Sequence, residues 1–177
     1  MNFHNSLEIY HSNFDRYSAR FITRNFALSE TENNAYPDHE YHVYTDGSKT
    51  SSGVGLGAII YNNGIVEETF AERLCDTASV FEAEMTAINL TAELLTKGKT
   101  RNANIVIFSD SLSSIQALER TKFKSALVAN TMFKLCSLAR NNAVALQWVR
   151  AHVGLDVDSG GDIRGVGGDI RCGLGVV

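Results

Sequence analysis

The chain has 177 residues, 44% of them hydrophobic and 20% charged, enough for one globular domain with a real core and too few for two. A net charge of −4 argues against tight, non-specific nucleic-acid binding but leaves room for an enzyme that concentrates carboxylates in its site. Cys75, Cys136 and Cys172 are odd in number and far apart, so no disulfide framework or zinc site can be read from them. The N-terminus has no apolar signal-peptide core, and no run approaches the length of a membrane span, so a soluble intracellular protein of cytoplasm or nucleus, without membrane association, is the expectation.

Residues 1–40 read as a polar linker or the remnant of an upstream region, with Pro37 punctuating Ser29 to Glu40. From Tyr41 the pattern changes. The run through Tyr44-Thr45-Asp46-Gly47-Ser48 predicts a short strand entering a glycine turn, and Gly55 to Tyr61 predicts a second strand. Asn62-Asn63-Gly64 is a hairpin signal, and the loosely alternating Ile65 to Leu74 predicts a third, half-exposed strand. A helix over 79–97 follows, with Ser79 as N-cap, Glu82 at the capping-box position and Gly98 as its stop. Phe81, Ile88 and Leu95 mark its apolar face, while Glu82, Thr86, Asn89 and Glu93 mark the polar one.

Asn104 to Ser109 is a buried strand by its apolar run. A helix over 110–118 with Ser109 or Asp110 as cap, a longer helix over 125–141 and a last strand over 143–149 complete the pattern. The order βββαβααβ predicts an α/β fold: a mixed five-stranded sheet, made of a three-strand antiparallel meander plus parallel strands, with helices on its faces. Eight of the fourteen glycines fall in the last 24 residues, from Gly154 on, and GGDIR occurs at 160–164 and again at 167–171. Each Gly costs a helix interior roughly 1 kcal/mol relative to Ala, so residues 155–177 are expected to be a disordered tail.

Three acids stand where acids are structurally awkward. Asp46 ends the first predicted strand and Asp110 follows the fourth. If those strands are parallel neighbours, both carboxylates emerge at the sheet edge where such folds bind ligands. Glu84 lies in the apolar stripe of its helix, where a charge costs several kcal/mol unless something pairs with it. Each has a plainer reading, Asp46 as a turn residue, Asp110 as a helix cap and Glu84 as a snorkelling side chain, and it is their joint placement that points to chemistry. Three converging carboxylates repel one another until a hard cation joins them. Magnesium suits such a site, because it takes oxygen ligands and keeps water and substrate phosphate in its shell.

Four segments, YTDGSKTSSGVGLGAIIY, SVFEAEMTAI, IFSDSLSSIQAL and WVRAHVG, in that order over residues 41–154, resemble the ribonuclease H domain. They are most similar to the version found downstream of the reverse transcriptase in non-LTR retrotransposon polyproteins. The resemblance implies an RNase H-like fold and an endonuclease that hydrolyses the RNA strand of an RNA–DNA hybrid with two Mg²⁺ ions, for which Mn²⁺ may substitute. It implies Asp46, Glu84 and Asp110 as catalytic metal ligands and His152 as an aid to proton transfer or product release. Gly47, Ser48 and Ser111 would contact substrate. The expected partners are the hybrid and an upstream reverse transcriptase.

The chain departs from the family after His152. The family's Asn-Glu and Ala-Asp pairs are missing, and Asp162, at the usual spacing, is preceded by Gly160 and Gly161 and enters no helix-forming run. Asp162 is therefore expected to be a weak fourth metal ligand and catalytic residue, so activity is expected to be reduced. An inactive connector or nucleic-acid-binding remnant of the same fold is the alternative. A phosphorylation-switch receiver domain is disfavoured, because Asp46 lacks an acidic neighbour and no Lys follows the last strand. The DGS, AEM and SDS wording also favours a hybrid nuclease over a transposase or integrase.

Two basic clusters, Lys97/Lys99/Arg101 and Arg120/Lys122/Lys124, are candidates for phosphate contact, and Trp148 is assigned to the core rather than to base stacking. The duplicated GGDIR suggests a shifted reading frame or a decayed element copy. Sequencing the transcript across codons 153–165 tests this, and a clean reading of the present frame would count against it.

Overall fold

The computed structural model describes residues 38–120 and 122–150, together with the backbone of 21–24, 156–157 and 163–164. The strands are β1 (Phe21–Arg24), β2 (Tyr41–Thr50), β3 (Gly53–Asn62), β4 (Ile65–Leu74), β5 (Asn104–Ser109) and β6 (Ala143–Trp148). The helices are α1 (Val80–Lys97), α2 (Leu112–Leu118) and α3 (Ala126–Ala139). The sheet order is β1-β6-β5-β2-β3-β4, with β2, β3 and β4 antiparallel and β1, β6, β5 and β2 parallel. No helix among the described residues is long and apolar enough to cross a membrane.

The antiparallel half follows from its turn chemistry. Asn63 and Gly64 both adopt left-handed backbone, φ 50° and 79°, the pattern of a tight hairpin turn whose twist matches its strands. The parallel half follows from its helices. The steps from β2 to β5 and from β5 to β6 run in the same direction across the sheet and place α1, α2 and α3 in one core, as two crossovers of the same hand must. That core joins Val43, Ile105, Ile107 and Leu146 of the sheet to Met85 and Ile88 of α1, Ile115 and Leu118 of α2, and Leu135 of α3. A smaller cluster of Val106, Phe108 and Ala145, with Tyr44 and Val149 beside it, lies on the alternate positions of the same strands.

The five expected strands and three expected helices are all present, and several details differ. Residues 1–40 do not all stand apart from the fold: β1 pairs in parallel with β6, from Phe21 opposite Val144 to Arg24 opposite Gln147. The fold also reaches back before Tyr41. The Glu40 carboxylate accepts the Asn104 N–H at 2.6 Å, closing the start of β5, and the Glu40 carbonyl accepts the Asn63 N–H at 2.7 Å. The first bond holds the Glu40 carboxyl below its usual range. Within the tail expected to be disordered, Asp156–Val157 and Ile163–Arg164 pair as a two-residue antiparallel ladder. The β-branched Val157 and Ile163 suit extended backbone where the glycines around them favour nothing in particular.

The helix ends also hold surprises. Ser79 and Glu82 form the predicted capping box. Gly98 caps α1 in right-handed geometry, φ −64°, and the left-handed residue is Lys99, φ 61°. The cap of α2 is Ser111, one residue beyond the predicted candidates, because its hydroxyl reaches the Ser114 N–H.

Asn89 does not belong to a solvated face. It is buried, donates to Thr131 Oγ1 at 3.1 Å and accepts from Lys134 Nζ at 2.7 Å. Lys134 of α3 also grips Glu93 of α1, which Lys97 contacts as well. α1 and α3 thus meet through a polar seam that no single-helix periodicity shows.

The two lysines hold the Glu93 carboxyl at about 2, far below its usual 4.5. The interaction stabilises the fold above pH 4.5 and is lost as the pH falls towards 2, where the folded state finally takes up the proton. Glu93→Gln should therefore flatten this part of the acid limb of a urea-unfolding stability curve. An unchanged limb would show that the seam does not couple to folding.

Candidate metal centre

The three suspected acids come together. Asp46 lies within β2, which does not end there as expected but runs through Gly47 to Thr50 because those residues pair with β3; Asp110 directly follows β5, and Glu84 lies in the second turn of α1. One carboxylate oxygen from each falls within 4.8 Å of the other two. The parallel register of β2 and β5 ends with Thr45 opposite Ser109, so the next residue on each strand is an aspartate at the same edge. The Thr45 hydroxyl donates to the Phe108 carbonyl at 3.1 Å, adding a side-chain tie between the two strands there.

Gly47 brings the third acid in. A methyl group at Gly47 would sit 2.4 Å from the Glu84 backbone nitrogen and 2.8 Å from the Ala83 carbonyl carbon. Those are backbone atoms and cannot rotate away, so only glycine lets α1 lie this close to β2. Its missing side chain makes room for the helix that carries Glu84.

Asp110 is fixed through its main chain. Its carbonyl accepts the Leu112 N–H at 3.1 Å and the indole N–H of Trp148 at 3.0 Å. The Val149 N–H to the Ser109 carbonyl, 3.0 Å, is a further tie between the β5 and β6 chains at this edge. Ser111 N–H donates to the buried Ser109 hydroxyl at 3.2 Å, and the Ser111 hydroxyl is engaged with Ser113 and Ser114. Trp148 packs against the core as expected, but its contact with Asp110 was not legible in the sequence: an indole in the last strand carries no signal of which carbonyl it will meet.

Glu84 is 3% exposed, and its Oε2 is buried with no hydrogen-bond partner. Burial, then the neighbouring charges of Asp110 and Asp46, push its carboxyl up to about 9, with a hydrogen bond from the Gly47 backbone pulling the other way. A buried oxygen without a donor, facing two more carboxylates, is a poor arrangement for a protein alone and a fitting one for a hard divalent cation. Asp46, Glu84 and Asp110 are the residues that would hold it.

Of the remaining candidates, Ser48 is half-buried on β2 beside the centre. His152 and Asp162 lie outside the described residues. The Lys97/Lys99/Arg101 cluster precedes β5, whereas Asp110 follows it, so this cluster belongs to the opposite end of the strand and does not flank the carboxylates.

The cost of the centre should be measurable without a cation. Below pH 4.5 Glu84 is protonated in both folded and unfolded chains and costs nothing. As the pH rises from there towards 9, only the unfolded chain releases the proton, and stability falls, on the order of 3 kcal/mol by pH 7. In chelator, Glu84→Gln should thus be more stable than the wild type at pH 8 and close to it at pH 4.5, by denaturant unfolding. A gap that does not change with pH would refute the assignment.

The RNase H family model matches residues 38–161. No curated protein matches. RNase H1 from the halophilic archaeon Halobacterium salinarum NRC-1 is similar in structure at 14% identity and a TM-score of 0.48, over 60% of this chain and 82% of that one. The foamy viral protease-reverse transcriptase, solved in complex with an RNA/DNA hybrid, is similar at 16% identity and a TM-score of 0.48, over 63% of this chain and 18% of that one. With about two-thirds of its length matched by that model, spanning all three clustered carboxylates, the chain belongs to the RNase H family.

Proposed function

We propose that this protein is an endonuclease that hydrolyses the RNA strand of RNA–DNA hybrids by two-metal-ion catalysis. The observation that carries the reading is the orphaned Glu84 Oε2 inside a triad of carboxylates at one sheet edge. Family membership supports the reaction class.

Divalent cations held there, Mg²⁺ or in its place Mn²⁺, supply Lewis-acid activation of water and neutralise charge that builds on the phosphate. The chain's own part is to hold them. Asp46 and Asp110 approach from the sheet and Glu84 from above it, so the ligand oxygens are fixed by three different elements and need little reorganisation on loading. Glu84 gives up its proton when the centre fills. Gly47 and Ser48, on the strand that carries Asp46, meet the ribose-phosphate backbone, where 2′-hydroxyl contacts distinguish RNA from DNA. His152 assists proton transfer or product release, and Ser111 contributes to substrate contact.

The reading extends to origin. The wording of the four motifs favours a retrotransposon source, with a reverse transcriptase upstream as partner. A second reading, an impaired domain kept as a connector, is favoured by one observation: after His152 the sequence lacks the Asn-Glu and Ala-Asp pairs, leaving Asp162 as a weak fourth ligand.

Cleavage of a labelled RNA–DNA hybrid in Mg²⁺ and in Mn²⁺, beside Asp110→Asn, tests both. The nuclease reading expects RNA-strand products that the substitution reduces by about a hundredfold or more, equivalent to about 3 kcal/mol of barrier. Folded protein without products in either cation would leave the connector reading standing.

A further inference from the structure

Trp148 is the chain's only tryptophan, and its place at the metal centre has a consequence for how that centre is held. The β5–β6 ladder ends with Ser109 opposite Trp148. Asp110 is therefore the first residue past the ladder, yet it must present a carboxylate with a fixed position. On the β6 side its carbonyl is met by the indole N–H of Trp148, at 3.0 Å. Trp148 is itself secured. The fully buried Gln147 donates from Nε2 to the Trp148 carbonyl at 2.6 Å, and the indole packs against the main core. A rigid ring in the last strand thus takes over, by side chain, the work that a backbone ladder bond does one residue earlier.

We propose that Trp148 is a positioning residue for the cation site: its indole N–H fixes the Asp110 main chain and through it the carboxylate that faces Glu84 and Asp46. This rests on the reading of the triad as a cation centre. It predicts that removal of the N–H, with the ring kept, loosens cation binding more than it loosens the fold. It also predicts that the effect exists only while Asp110 is a ligand.

The test is Mn²⁺ binding to the full chain without nucleic acid, followed by the electron paramagnetic resonance signal of free Mn²⁺. It compares wild type, Trp148→Phe, Asp110→Asn and the double variant. Trp148→Phe should bind Mn²⁺ roughly three- to tenfold more weakly, with a melting temperature in chelator near that of the wild type. The double variant should bind no more weakly than Asp110→Asn alone. An unchanged dissociation constant in folded Trp148→Phe, or a loss that adds in full to that of Asp110→Asn, overturns the proposal while leaving the cation centre intact. Wild type that binds no Mn²⁺ overturns both.

Should Trp148→Phe fail to fold, the intrinsic fluorescence of the wild type decides. Mg²⁺ should change Trp148 emission with the same saturation as cation binding, and Asp110→Asn should abolish the change. Emission that ignores a bound cation overturns the proposal.

Discussion

Repulsion among three carboxylates is the constraint on which this molecule turns. Asp46, Glu84 and Asp110 are held within 4.8 Å of one another, one of them almost wholly shielded from water. Left to themselves, such groups separate or take up protons. The fold denies them separation. Two aspartates are fixed by the parallel register of β2 and β5, Asp46 within β2 and Asp110 just past the end of β5, and the glutamate is fixed by a helix pressed onto the strand at Gly47. What remains is protonation, seen in the raised Glu84 carboxyl, or a cation.

Much of the surrounding structure is concerned with keeping that arrangement stiff. The capping box at Ser79 and Glu82 sets where α1 begins. The seam of Asn89, Thr131, Lys134 and Glu93 sets how α1 lies on α3. A partly buried polar seam contributes little net stability compared with an apolar one, but it penalises every register except its own. For a helix that must deliver one carboxylate to a fixed point, that penalty is useful. Trp148 and Gln147 do the corresponding task on the sheet side.

The basic residues divide in the same terms. Lys97, Lys99 and Arg101 lie at the far end of β5 from the carboxylates, and two of the three follow a helix C-terminus, where cations complement the exposed carbonyls. Arg120, Lys122 and Lys124 fall between α2 and α3, after the helix that starts beside Asp110. The net charge of −4 fits a domain that relies on a few placed cations rather than a general field.

The sequence by itself determined the element order, the turn at Asn63-Gly64, the cap at Ser79 and the three acids. Each of these is written locally: in apolar runs, in a two-residue turn signal, in a hydroxyl three residues ahead of a glutamate, and in a charge placed in an apolar stripe. It even exposed Glu84 as anomalous, because burial along a helix follows from period alone. Only the tertiary structure decided the rest. β1 could not be read, since four residues in a polar stretch become a strand only when β6 offers an edge. Asn89 was assigned to water because its partners stand on another helix, forty-two and forty-five residues away. Gly47 was recognised, but its contact with α1 was not, for the atoms that exclude a side chain belong to Ala83 and Glu84. The tie from Trp148 to Asp110 spans thirty-eight residues. Local chemistry is legible in a chain because neighbours in sequence are neighbours in space. Contacts between distant segments exist only once the fold has chosen which surfaces meet.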